Sequence, residues 1–328
     1  MYPAIAERDT QHIIEHTSGV WESLRHARIF LTGGTGFFGK WLVGAFCRAC
    51  DEYELKARLC VLTRNPARAE RVLPTLYRHP SVELHQGDCK SFEFPTGPFT
   101  HVIHAATEDD SFTFPVPRQA LFQGNISGAQ RVLAFAAHAN VQRFLNLSSG
   151  AVYGPQPLDL LQVSEDSALA PDPQRVDLAY GHSKRAIEFL VAAHADQHGF
   201  VACSARCFAF VGAFLPLDIN YAIGNFIKDA LSGRCIQING DGTPLRSYLY
   251  MADLAIWLWT LLVRGNPGRS YNVGSDQAIS IAELARLVAT VVNPHVDISI
   301  AKAATPGQSP ARYVPLIERA RVELQLHS

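Results

Sequence analysis

The stretch from Arg28 to Lys40 reads RIFLTGGTGFFGK, and it decides how the rest of the chain is interpreted. Arg28 to Thr32 is a short apolar run with β-branched and aromatic character, the mark of a buried strand, and Gly33, Gly34, Gly36 and Gly39 then interrupt it. Phe37, Phe38, Trp41, Leu42, Ala45 and Phe46 recur at spacings of three and four, which predicts a helix directly after the glycines. Glycine in such a turn admits positive φ and lets backbone N–H groups approach a pyrophosphate, whose charge the helix N-terminus stabilises. A glycine pattern by itself is weak. With a strand before it and a helix after it, this one points to a dinucleotide site in which Gly33, Gly36, Phe37, Phe38 and Gly39 line the cradle.

The chain has 328 residues, 48% of them hydrophobic and 18% charged, enough for a large core in one domain or two interleaved ones. Lys plus Arg at 29 nearly cancels Asp plus Glu at 30, so no global field favours nucleic acid or an anionic membrane, and any anionic ligand must be held locally. The longest apolar stretch, residues 255–263, is too short to span a bilayer, and the opening MYPAIAERD lacks the basic and apolar regions of a secretion signal. A cytoplasmic location is expected. Seven cysteines, an odd number, suit reduced thiols. Cys47 and Cys50 have redox or zinc spacing but no second pair, and they fall within the helix after the glycine turn, so they read as buried thiols. His194 and His198 stand four apart with no Glu beside them and read as a solvated helix face. No metal site is expected.

Residues 1–27, with Ile13, Ile14, Val20, Trp21 and Leu24, read as an N-terminal packing arm. Residues 58–63 form the second strand, closed by Arg64-Asn65-Pro66. In NAD-binding folds an acidic residue at this strand end accepts hydrogen bonds from the ribose 2′-hydroxyl, whereas an Arg accommodates a 2′-phosphate. Arg64 therefore favours NADP(H), with NAD(H) as the alternative. Residues 82–85 and 101–105 are the third and fourth strands, the former leading into Gly87-Asp88. A long helix spans 117–138, and a fifth strand over 142–147 delivers Ser148 and Ser149 to its carboxyl end, where ligands collect in open parallel sheets. The proline- and acid-rich residues 155–173 form a loop suited to cover that site. Tyr180-Gly-His-Ser-Lys184 then opens a helix, and a spacing of four puts the phenol and the ammonium on one face. A neighbouring ammonium favours the tyrosinate, which makes Tyr180 a candidate general acid or base.

At these residues the chain resembles an extended short-chain dehydrogenase/reductase of the nucleotide-sugar epimerase and dehydratase family. Thr32-Gly33-Gly34-Thr35-Gly36-Phe37-Phe38-Gly39, Asp88, His104-Ala105-Ala106, Asn125, Ser149, Val152-Tyr153-Gly154, Tyr180 with Lys184, Arg206 and residues 246–253 (RSYLYMAD) follow the family's order. The resemblance implies an α/β fold: a doubly wound parallel Rossmann sheet over 28–206, with a smaller α+β lobe over 207–328 for the substrate and strands that return to the first domain. It implies that Asp88 contacts the adenine, that Ala105 and Ala106 line the cofactor, and that Lys184 also bonds the nicotinamide ribose. Ser149 and Tyr180 would flank the reacting sugar oxygen, and Asn225 and Arg246 would hold the diphosphate of a nucleotide sugar. It further implies a homodimer, joined through helices 117–138 and 180–198.

Departures from the family pattern narrow the reaction. In its 4,6-dehydratases the catalytic Ser/Thr is followed by an Asp-Glu acid and base pair, where this chain has Gly150-Ala151. The family's Asn after Arg-x-Phe is replaced by Ala209, and the chain ends sooner after a helix expected over 315–324 than the family usually shows. The expected activity is therefore NADPH-dependent reduction of a nucleotide-linked 4-keto-6-deoxysugar. The alternatives are a 4-epimerase that retains its NAD, an atypical dehydratase using Glu165, Asp166 or a cysteine, and a non-catalytic dinucleotide-binding sensor.

Overall fold

A computed structural model describes residues 5–108, 117–219 and 221–328. Seven strands make the central sheet: β1 (Arg28–Thr32), β2 (Arg58–Thr63), β3 (Val82–Gln86), β4 (His101–His104), β5 (Arg143–Ser149), β6 (Val201–Cys207) and β7 (Ser270–Val273). Their spatial order is β7-β6-β5-β4-β1-β2-β3, and every neighbouring pair is parallel. The order reverses direction beside β1, so the glycine turn after it opens at the point where a doubly wound sheet leaves a crevice.

Two-residue periodicity sorts these strands between two hydrophobic cores. Ile29, Leu31, Leu59, Val61, Leu145 and Leu147 face one core, with helices Phe37–Tyr53 and Met251–Arg264. Phe30, Cys60, Leu62 and Phe144 face the other, with helices Arg118–His138 and Ala179–His198. Trp257 and Trp259 are buried in the first core, with Trp259 against Trp21 at 5.0 Å. Helix Glu7–His16 joins that layer: Tyr250 Oη donates to Asp9 Oδ2 at 2.8 Å, and His12 Nε2 lies 3.2 Å from Asp253 Oδ1. Residues 1–4 of the N-terminal arm lie outside the described residues. Among the described residues no helix is long and apolar enough to cross a membrane.

A small lobe carries helices Ala222–Leu231 and Ile281–Val292, the latter started by a Ser280–Glu283 capping box. Its three-stranded sheet sets Leu245–Arg246 between Ile279–Ser280 and Arg312–Tyr313. Two boundaries differ from the sequence reading by two residues or more. The fifth strand runs on to Ser149, because Ser148 and Ser149 pair with Arg206 and Cys207 of β6. The last helix starts at Glu318, because Val163 bridges Pro315 and accepts a hydrogen bond from Leu316 N–H at 2.8 Å, which holds that segment extended.

A buried polar network ties the helix of Tyr180 to the sheet. Glu188 Oε1 accepts from Ser148 Oγ at 2.6 Å, and its carboxylate takes the Arg206 guanidinium at 2.7 Å, with both charged side chains under 15% exposed. Arg206 also donates to Tyr153 Oη at 2.9 Å, and Tyr153 donates to Asn272 Oδ1 of β7 at 2.7 Å. Removing one partner of a buried pair strands the other's charge. Glu188→Ala should therefore lower unfolding stability by about 3 kcal/mol in urea titration, whereas Glu22→Ala at the solvent surface should leave the urea midpoint almost unchanged.

Burial also holds two imidazoles of β4 neutral, His101 at a pKa lowered from 6.5 to about 4 and His104 to about 3. A depressed histidine pKa gives stability that is complete above the unfolded value and is lost as pH falls below it. Each should cost about 1.4 kcal/mol per pH unit as pH drops from 6.5 towards those values. Urea unfolding across this window should show a shallower loss in His104→Asn than in the parent.

Candidate active site

The glycine turn closes through backbone contacts that a side chain would prevent. Gly33 has φ +70°, and a Cβ there would come within 2.6 Å of Ala105 C; one on Gly39 would come within 2.3 Å of Gly33 O. These two glycines therefore set the helix N-terminus against β1 and the β4 exit. Gly36 differs. It has ordinary φ, and a Cβ there would meet only Gly33 O at 3.2 Å, so the protein's own packing leaves space in front of it. An open backbone cradle at a helix N-terminus, framed by two sterically required glycines, fits a dinucleotide pyrophosphate. Tyr77 Oη donates to Gly34 O at 2.9 Å, and Phe38 packs edge-on against Phe210 at 4.9 Å. Thr32 Oγ1 accepts from Ala106 N–H at 3.1 Å and lies 2.9 Å from His104 Nδ1, which joins the turn to Ala105 and Ala106.

Arg64 is exposed at the end of β2. Asp88 lies half-buried past the end of β3, where Oδ1 caps Lys90 N–H at 2.9 Å. Lys90 Nζ donates to Glu108 Oε1 at 3.0 Å, which raises its pKa, with Arg64 a smaller opposing charge nearby, and Lys40 has its pKa lowered first by burial and then by Arg68. Arg64 thus neighbours Lys90, and Arg68 neighbours Lys40. Lys40 lay in view at the close of the glycine stretch, whereas no spacing in the sequence grouped Arg68 with it.

Ser149 ends β5, and its Oγ accepts from Ala151 N–H at 3.1 Å in the tight turn Gly150–Tyr153. The helix Ala179–His198 presses on that turn: a Cβ on Gly181 would come within 2.4 Å of Ala151 O. The contact brings the first turn of the helix, with Tyr180, up to the Ser149 turn. Lys184, nearly fully buried, donates from Nζ to Leu147 O at 2.9 Å, and Nζ lies 5.7 Å from the Tyr180 ring centroid. Asn125 links the two long helices and the β4 exit, donating to Ser183 Oγ at 3.1 Å and to Glu108 O at 2.9 Å while accepting from Glu108 N–H at 2.7 Å.

In the small lobe, Arg246 is half-buried with its guanidinium bonded to Leu245 O at 2.9 Å, and its register partner is Tyr313. Asn225 is half-buried on helix Ala222–Leu231, one turn after Tyr221. The phenol of Tyr313 sits among Ser149, Cys207, Arg246 and Tyr221, which places the small-lobe residues around the end of β5. Sequence reasoning missed Tyr313, since it carries no motif and lies far along the chain from Ser149. The loop over 155–173 reaches the site at Pro171, whose Cγ lies 3.2 Å from the position of a Gly181 Cβ.

Glu165 and Asp166 have other partners: Glu165 Oε1 accepts from Asn272 N–H at 2.8 Å, and Asp166 pairs with Arg319 at 2.5 Å with its own side chain at the surface. All seven cysteines are free thiols, with Cys50 pushed up to about 11 by burial. His194 and His198 have ring centroids 5.8 Å apart, and His194 is bonded to Leu190 O. Among the described residues no group of three or more His, Cys, Asp or Glu side chains could hold a metal ion.

The sequence model of the NAD dependent epimerase/dehydratase family matches residues 29–274. UDP-glucuronic acid decarboxylase 3 of Arabidopsis thaliana is 27% identical over 303 residues, covering 90% of this chain and 82% of that protein. Human dTDP-D-glucose 4,6-dehydratase is 26% identical over 269 residues, covering 79% and 72%. Among solved structures, UDP-glucuronic acid 4-epimerase from Bacillus cereus, in complex with UDP-glucuronic acid and NAD, superposes with a TM-score of 0.74 at 21% identity, covering 92% and 93%. The 4,6-dehydratase DesIV from Streptomyces venezuelae gives 0.73 at 22% identity, covering 92% and 91%; at these identities the likeness is one of fold. With its doubly wound parallel sheet, glycine cradle and family match over most of its length, the chain belongs to the NAD-dependent epimerase/dehydratase family and is an enzyme of the extended short-chain dehydrogenase/reductase type.

Proposed function

We propose that this enzyme reduces a nucleotide-linked 4-keto-6-deoxysugar with NADPH. The observation that carries the reading is the turn after Ser149. Gly150 and Ala151 offer no acid or base there, and a Cβ on Gly150 would come within 2.7 Å of Tyr313 Oη and 2.8 Å of the Phe208 ring. No carboxylate fits at that position without displacing both rings. Glu165 and Asp166 are committed to Asn272 and Arg319, and burial pushes the Cys207 thiol up to about 12. What remains, a hydroxyl, a phenol and an ammonium, suffices for proton transfer alongside hydride transfer but not for expelling water across a carbon–carbon bond.

The nicotinamide, when bound, supplies the hydride to C4 of the sugar. Ser149 donates a hydrogen bond to the keto oxygen. Tyr180 delivers its phenolic proton to the same oxygen as negative charge develops there, and Lys184, fixed on Leu147 O, stabilises the phenolate that remains. Lys184 also bonds the nicotinamide ribose, and Ala105 and Ala106 line the path of the cofactor. Asp88 takes the adenine, and Arg64 takes the ribose 2′-phosphate. Asn225 and Arg246 hold the sugar diphosphate, a task suited to the guanidinium fork.

The exposure of Arg64 supports a second reading, since a solvated Arg is not preset for a 2′-phosphate: a 4-epimerase that retains NAD and uses the same Ser149, Tyr180 and Lys184. Reduced-nicotinamide absorbance, followed with NADPH or NADH and a panel of 4-keto-6-deoxy sugars on dTDP, UDP, CDP and GDP, separates the two. Stoichiometric oxidation of NADPH is expected. No net oxidation, with nicotinamide released only on denaturation, would replace the reductase by the epimerase. Tyr180→Phe should lower kcat by about a hundredfold or more. Arg64→Ala should raise KM for NADPH about tenfold while leaving that for NADH within about twofold.

We also propose a homodimer through helices Arg118–His138 and Ala179–His198, which pack together in the protomer and expose Phe122 and, at 72%, Phe189. Light scattering at micromolar concentration should give twice the chain mass, and Phe189→Asp should shift it towards the monomer. A monomeric parent would overturn this assignment.

A further inference from the structure

We propose that the cleft at the amino-terminal edge of the sheet, where β1 and β2 begin, is a second anion site that binds a small phosphate ester or diphosphate. It lies at the opposite end of both strands from the glycine cradle and Arg64, and β1 alone puts about 15 Å between its two ends. The site is therefore separate from the catalytic crevice and independent of the reaction run there.

The two strand entries repeat one pattern. His26-Ala27-Arg28 leads into β1 and Lys56-Ala57-Arg58 into β2, and Arg28 and Arg58 are register partners in the parallel pair. Ala27 and Ala57 are buried. His26 N–H donates to Leu55 O at 3.0 Å and Arg58 N–H to Ala27 O at 2.8 Å, which locks the entries side by side. The backbone repeats as well: His26 has φ +62° and Lys56 φ +53°, the left-handed region that favours glycine. Glycine would take that conformation without strain, yet both positions carry an exposed basic side chain. Strain held at two matching positions beside one cleft points to a use for the side chains themselves.

The cleft that these residues line has a volume of about 460 Å³, with Glu83 and Thr100 in its wall, a size that suits a small ligand. Arg28 is fixed within it. Its guanidinium donates to Glu83 Oε2 at 2.9 Å, to Glu83 Oε1 at 3.1 Å and to Thr96 O at 2.5 Å, and lies over the Phe99 ring at 4.1 Å. Glu83 thereby offsets Arg28. Arg58 uses one N–H, on Pro80 O at 3.3 Å. Among the described residues no carboxylate pairs with His26, Lys56 or Arg58, and Glu22, close to His26 in sequence, is held by both prongs of Arg25 at 2.7 Å. The charge left over in the cleft is positive. A guanidinium and an ammonium lining one cavity suit phosphate oxygens, the first through paired N–H donors and the second as a point charge. Because the chain as a whole is close to neutral, the attraction is local, which favours a small anion over an extended polyanion.

The test is a titration of the full chain with inorganic pyrophosphate at about 0.15 M salt, followed by NMR of the alanine methyl groups, of which those of Ala27 and Ala57 report from the cleft. Both methyls are expected to shift along one saturating curve with Kd below about 1 mM. Lys56→Gly, which suits a left-handed backbone, combined with Arg58→Gln should weaken that Kd about tenfold or more, while circular dichroism shows the fold intact. Lys56→Gly alone should melt at or above the parent temperature. Shifts that survive in the double variant would place the anion elsewhere, and shifts no larger than those from sodium chloride at equal ionic strength would reduce the cleft to general screening. Either result overturns the proposal, as do unmoved methyls up to about 10 mM pyrophosphate. Binding of DNA or of anionic lipid vesicles, with pyrophosphate inert, overturns it too.

Discussion

Everything in this molecule is built around the approach of one backbone to another at Gly33 and Gly39. Helix Phe37–Tyr53 can start where it does only because neither residue carries a side chain: at 2.3 and 2.6 Å from neighbouring backbone atoms, a Cβ at either would force β1, the helix or the β4 exit to move. The same closeness aims the helix N-terminus and its unpaired N–H groups at the space left open before Gly36. Fold and cofactor cradle are thus one steric decision. The aromatic layers are consistent with it, since Phe38 and Trp41 of this helix reach Phe210 and Ala213 just beyond β6 and so tie the cradle to the start of the small lobe.

The reacting end of the site depends on a second kind of constraint, the satisfaction of buried polar groups. Ser148 and Ser149 leave β5 side by side and meet different fates. Ser148 donates to Glu188, which is held by Arg206, and through Tyr153 and Asn272 that network reaches β7. Ser149 turns the other way and takes Ala151 N–H. The strand end is therefore anchored by one serine while the other is presented, and the helix carrying Tyr180 and Lys184 is registered against both through Glu188 on its inner face and Gly181 against Ala151. A charge pair so poorly solvated contributes little net stability, but breaking it is costly, and that cost preserves the register.

The small lobe reaches the turn after Ser149. Its three-stranded sheet brings Arg246 and Tyr313 into register and lays the latter over the Ser149 turn, filling the volume that an acidic side chain at 150 would need. Gly150, the residue after Ser149, is therefore walled in by the Tyr313 and Phe208 rings.

The local features were legible in the amino-acid sequence: the strand, glycine turn and helix around Gly33 to Gly39, the alternation of strands and helices, and the spacing that puts Tyr180 and Lys184 on one face. Each is a matter of periodicity or of glycine's conformational freedom over a few residues, and such signals survive in one dimension. The carboxyl end of β5 was placed within two residues, its last pairs being set by β6 rather than by its own composition. Only the tertiary structure set Arg64 near Lys90 and Arg68 near Lys40, joined Glu188 to Arg206 and Ser148, and carried Tyr313 to the Gly150 turn. Those groupings join residues separated by whole elements, where no hydrophobic period or turn preference links the partners, and they follow from how helices and lobes dock once the apolar faces are buried.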